Sequence, residues 1–238
     1  MVLTYLEAVP LVAGEFGGPI STFLKSAGTE ERIPDAVRVI SCVANAGVSR
    51  HAWWFDFLDP DEAELIGPGM DGLNHHHEEF PSAERSVPLV PPDFVEWQTR
   101  FSALPDPSRS RLRSAMDRLN AAYHRVTVFD QAIDAAIALE AALATADGHG
   151  EISFRLRLRA ALLLGGSVED RRATAAKVKG LYDVRSAVIH GGTKRSQEAG
   201  EKVEEGLTVV GLILRRLMEV GDVADWKTVE FLGGVEHL

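Results

Sequence analysis

A single cysteine, Cys42, occurs in the 238 residues. One thiol allows no internal disulfide, so a reducing compartment, the cytoplasm, is the expected location. No uninterrupted apolar run approaches the ~20 residues needed to span a bilayer as a helix. The first residues show no basic segment followed by an apolar one, so no secretory signal is expected. Internal repeats and low-complexity tracts are absent. So are a Ser-centred nucleophile elbow, a dinucleotide-binding fingerprint and a P-loop, since Gly191-Gly192-Thr193-Lys194 lacks the Gly-x4-Gly-Lys spacing. His75-His76-His77 followed by Glu78-Glu79 invites a metal reading. Adjacent histidines rarely converge on one ion, and no second His or Cys pair lies at zinc spacing. Neither a metal nor a cofactor is expected.

What is present is an acidic chain with a basic segment. The formal charge is −10, which argues against a general nucleic-acid coat protein. Between Glu151 and Arg195, however, ten basic residues face four acidic ones. A local basic field on an acidic protein suits a phosphate-handling site with little non-specific binding.

Residues 1–95 are rich in Pro and Gly and show little helical period. Residues 37–44 are β-branched and mostly apolar and read as a buried strand; residues 51–58 read as a second candidate. Residues 67–92 carry turn residues throughout and read as loop. A region of mixed α/β or mostly β fold is therefore expected over 1–95. From Ser108 the chain turns helical. The spacing predicts helices over 108–126, 130–146 with Asp130 as N-cap, 153–164 ending at Gly165-Gly166, 168–190 and 197–220 ending at Gly221. The alternation Phe-Arg-Leu-Arg-Leu-Arg from Phe154 would also suit a strand; the Ala-Ala-Leu-Leu-Leu after it favours helix. A short tail around Trp226 closes the chain. The expected fold is mainly α: an antiparallel helical bundle over 96–238 with a small mixed or β-containing N-terminal region.

Within the helix over 168–190, Val178, Leu181, Val184 and Val188 share a core-facing stripe. Tyr182, Ser186 and His190 follow at four-residue steps on another face, with Arg185 beside them. His190 sits at the helix end, where the macrodipole favours imidazolium by ~0.3–1 kcal/mol. An arginine stabilises negative charge and an imidazole moves a proton, so the pair can do metal-free chemistry on a phosphodiester. The same features also describe a surface helix that ends with a satisfied histidine and a glycine cap. In the helix over 130–146, Ile133, Ile137, Glu140 and Ala144 share a face, so Glu140 points along apolar surface and needs a cationic or hydrogen-bonding partner. Arg159 and Arg185 are the candidates. Arg155 and Arg159 lie one turn apart and can line an RNA path or form a solvated face. Lys194 and Arg195 follow the glycines and can grip a phosphate.

The stretch Leu181-Tyr182-Asp183-Val184-Arg185-Ser186-Ala187-Val188-Ile189-His190-Gly191-Gly192 resembles the Arg-x4-His signature of the HEPN ribonucleases. The resemblance extends upstream through Asp134-Ala-Ala-Ile-Ala-Leu-Glu140 and Arg159-Ala-Ala-Leu-Leu-Leu-Gly165, and together these are similar to the Apea-like branch of that family, found in bacterial anti-phage defence. About the last 140 residues are covered. The resemblance implies a metal-independent endoribonuclease with RNA as substrate. Arg185 and His190 would be catalytic, with Ser186 orienting the histidine or a phosphate, and Glu140, Tyr182 and Asp183 in support. It further implies a homodimer whose two Arg–His pairs meet across the interface. Two other classes fit the same features: a non-catalytic HEPN module that scaffolds a complex or binds nucleotides, and an antitoxin-like partner of a separate toxin.

Overall fold

The computed structural model describes residues 32–48, 93–144, 152–189, 197–221, 223 and 225–235. Among the described residues there are eight helices and no strand. They are α1 (Arg32–Ala44), α2 (Phe94–Ala103), α3 (Asp106–His124), α4 (Val128–Leu143), α5 (Ile152–Leu164), α6 (Val168–Ile189), α7 (Gln197–Val220) and α8 (Trp226–Leu232). The helical-bundle expectation holds, and the bounds of α7 coincide with those read from its apolar period.

Short described connections join α3 to α4 and α5 to α6, and the two helices of each pair pack together. Thr127 caps α4 by accepting from the Asp130 amide at 3.1 Å. The expected cap, Asp130, instead sits in the first turn, where its carboxylate accepts from the Thr127 hydroxyl at 2.6 Å. Gly165 and Gly166 end α5 with φ of 69° and 85°, a region that only glycine enters cheaply. Ser167 then opens α6 with a capping box: its hydroxyl accepts from the Asp170 amide at 3.1 Å, and its own amide donates to the Asp170 carboxylate at 3.0 Å. The Ser167 hydroxyl also donates to that carboxylate at 2.8 Å, and this bond, with the amide's, holds the Asp170 carboxyl below its ordinary pKa.

α7 is the central helix and touches each of α1 to α6. Its buried face runs through Val203, Leu207, Val210, Leu214 and Leu217, at steps of three and four. Gly206 lies against Leu181 of α6, so close that an added Cβ would stand 2.9 Å from the leucine Cβ. The contact brings α6 onto α7 at the level of Tyr182 and Arg185.

Residues 37–44 are helix, not strand, and belong to α1. Their apolar run is compatible with either period, and tertiary contacts decide it. As a helix, α1 directs Asp35, Val39 and Cys42 to one buried side. Arg113 of α3 clamps Asp35 with two bonds of 2.9 and 2.7 Å, and Arg38 of α1 reaches Asp117 of α3 at 2.7 Å. Val39 and Cys42 join the same core as α3 and α7. A boundary at 95 falls inside α2, and α1 packs on α2, α3 and α7, so the described part of the N-terminal region shares the bundle. The second strand candidate, residues 51–58, and the loop over 67–92 lie outside the described residues. No described helix is long and apolar enough to cross a membrane.

Candidate functional site

Val178, Leu181 and Val184 of α6 are buried as their spacing predicts. The spacing sets Tyr182 beside this stripe, yet it is buried too, because α4 packs against α6 as well. Its hydroxyl donates to Glu140 Oε1 at 2.9 Å. Arg185 Nη2 lies 3.5 Å from the same oxygen. The Arg185 guanidinium also sits 5.5 Å from the centre of the Tyr182 ring, a cation–π contact. Three side chains from two helices thus form one cluster.

Its chemistry follows from that geometry. Burial raises the Tyr182 pKa well above its ordinary value, and the Glu140 charge and hydrogen bond raise it further against the opposing pull of Arg185. Tyr182 is therefore a fixed proton donor to the carboxylate and no acid–base catalyst near neutral pH. Of the two arginines open as partners of Glu140, Arg185 is the one that meets it. The carboxylate is 26% exposed and the guanidinium 30%, so the pair lies at the edge of the core. Arg185 is held on one side by Glu140 and below by the aromatic ring, with part of its surface still open to a phosphate.

Around the cluster, Ser186 is exposed on the next position of α6. Asp183 is also exposed and pairs with Lys179 at 2.6 Å one turn away, so it takes no part in holding Arg185. His190, Lys194 and Arg195 lie outside the described residues. So does the 75–79 His-Glu run; among the described residues no group of three or more His, Cys, Asp or Glu is placed to hold a metal ion.

Arg159 does not line a solvent-facing RNA path. It is only 4% exposed. Its Nε donates to Glu230 of α8 at 2.6 Å, its Nη1 donates to the Leu143 carbonyl at the end of α4 at 2.7 Å, and its guanidinium stacks 5.4 Å from the centre of the Trp226 ring. It ties three helices together. α8 contributes both Glu230 and Trp226, which a reading confined to the helix of Arg159 could not supply. Arg155, one turn earlier, is half-buried.

A second carboxylate on α4 also meets arginine. Asp134 of α4 is buried and accepts from Arg125 Nε at 2.7 Å and Arg118 Nη1 at 3.2 Å, both on or just past α3. The signal for it was present: Asp134 shares the alanine-rich face of Ala135, Ala138 and Ala142, where a lone charge needs a partner.

No family model matches this chain. No curated protein or solved structure matches it either.

Proposed function

We propose that this chain is a metal-independent endoribonuclease of the HEPN type, acting in bacterial defence or as a toxin-like RNA cleaver. The observation that carries the reading is the anchoring of Arg185 by Glu140 and Tyr182. A surface arginine loses ordering entropy whenever it grips a phosphate; one already held by a carboxylate and a ring loses less. The residue singled out by the Arg-x4-His motif is the one so held.

In this reading a ribose 2′-oxygen attacks the adjacent phosphorus and the bond to the 5′-oxygen breaks. His190 takes the proton from the 2′-hydroxyl or delivers one to the departing 5′-oxygen. Arg185 neutralises the phosphorane oxygens as charge builds on them, help often worth several kcal/mol. Glu140 and Tyr182 are positioning residues, since they act through Arg185. The products are a 2′,3′-cyclic phosphate and a 5′-hydroxyl end.

The test is cleavage of end-labelled single-stranded RNA in excess EDTA. Wild-type protein should cut RNA and spare DNA of the same sequence, which lacks the nucleophile. Arg185→Ala and His190→Ala should each lower the rate at least ~100-fold. Activity lost to EDTA and restored by magnesium or manganese sinks the mechanism.

A further inference from the structure

The antiparallel pair α5 and α6 leaves an open cavity of about 300 Å³ at the end opposite Arg185. Leu158, Ala175 and Phe154 are among the residues that line it, and Phe154 is 51% exposed. Arg157, Arg171 and Arg172 stand around it, and none of the described residues that line it is a carboxylate. The Arg157 guanidinium lies 5.8 Å from the centre of the Phe154 ring. Arg171 is held in place by donation to the Gly233 carbonyl at 2.6 Å, and Arg172 is exposed.

We infer that this groove binds one unstacked base of a single-stranded RNA, with the rim arginines on its flanking phosphates. Three observations favour RNA over an apolar peptide. An exposed aromatic ring with a guanidinium beside it is a stacking platform that accepts any base. Arg157 and Arg172 on the rim, with no carboxylate among the described lining residues, match a polyanion. The groove also lies in line with the site: Arg172, Lys179 and Ser186 follow at seven-residue steps along one edge of α6. At ~1.5 Å per residue, Arg172 stands ~20 Å from Ser186. That is the span of roughly six stacked nucleotides at ~3.4 Å each, and of fewer if the strand is extended. The inference rests on the ribonuclease reading for its ligand class, and makes the groove a distal subsite of the same strand.

The test uses fluorescein-labelled 2′-O-methyl oligonucleotides, which present phosphates and bases but no nucleophile. Wild-type protein should bind a 12-mer at least ~10-fold more tightly than a 4-mer. Phe154→Ala should weaken the 12-mer by ~5- to 100-fold, the range for one lost base stack. Arg172→Glu should weaken it and flatten its salt dependence. Neither change should alter 4-mer binding or the cleavage rate of a short substrate. Both residues are exposed, and unchanged melting temperatures will show that the variants fold. If both variants bind the 12-mer as wild type does, the groove is not an RNA subsite. Absent 12-mer binding with short-substrate cleavage intact overturns the groove and spares the reaction. Absent cleavage with Phe154-dependent binding intact overturns the reaction and spares the groove.

Discussion

Asp134 and Glu140 stand six residues apart on α4, and each meets arginine, but in opposite settings. Asp134 is buried while its partners Arg118 and Arg125 are about half exposed. Removing the carboxylate leaves two guanidinium groups that water can reach, so Asp134→Ala should cost only ~1–2 kcal/mol. Removing both arginines strands a buried charge, and the Arg118→Ala/Arg125→Ala variant should lose ~3–5 kcal/mol. Urea denaturation of the two variants decides it; equal losses would mean that the carboxylate is not the costly partner. Glu140 is the milder case. Its place on an apolar face calls for a partner, which it has in Arg185 and Tyr182. At a quarter exposed, its half-solvated ion pair contributes little. The larger loss comes from the Tyr182 hydroxyl left without its acceptor, ~1–3 kcal/mol. Glu140→Ala should therefore destabilise by about that amount and slow RNA cleavage. Glu140→Gln should keep the acceptor and recover most of the stability. Tyr182→Phe should lower kcat with little change in KM if its role is to steady the carboxylate that holds Arg185. A KM effect alone would place it in substrate binding.

At the scale of helices, the contact that sets α6 on α7 is glycine against leucine. Gly206→Ala gains up to ~1 kcal/mol of helix propensity. It also drives a methyl group to within 2.9 Å of the Leu181 Cβ, and Leu181 has no exposed surface into which to move. Overpacking of this kind costs ~1–3 kcal/mol, so the net effect should be destabilising. A rise in melting temperature would mean that α6 can slide. α1 has its own reporter. Cys42 is fully buried, its thiol donates to the Gly211 carbonyl of α7 at 3.7 Å, and burial pushes its pKa up to about 12. Native protein at pH 8 should therefore resist a thiol reagent, and labelling should follow detachment of α1. The raised pKa also fixes the sign of a pH effect. The contribution is whole below the unfolded thiol value near ~8.5 and fades as pH climbs toward 12. Labelling as fast as in the unfolded chain would show α1 open in the native state.

At the scale of the molecule, the ribonuclease reading carries a composite site in which two Arg–His pairs meet across a twofold axis near the C-terminal ends of two α6 helices. Light scattering at micromolar concentration should report a dimer. Mixing inactive Arg185→Ala and His190→Ala proteins should restore part of the activity, and an active monomer would rule the composite site out.

What could be read from the sequence was whatever depends on local periodicity. The apolar repeat of α7, the glycine stop of α5 and the core stripe of α6 need only the 3.6-residue turn. The need of Glu140 for a partner followed the same way, from the face it shares with Ile133 and Ile137. Where periodicity is ambiguous, tertiary contact decided. Residues 37–44 are mostly apolar and β-branched and read as strand, until Arg113 and Asp117 of α3 bind Asp35 and Arg38 and select the helix. Arg159 looks like any basic residue in a basic segment until α8 brings Glu230 and Trp226 to it from 71 and 67 positions away. Which arginine answers Glu140, and how much water still reaches it, is a property of how α4 leans on α6. The sequence alone determined that a charge would need a partner; only the packing of helices distant in the chain decided which one, because that choice is made through space and not along the turn of a single helix.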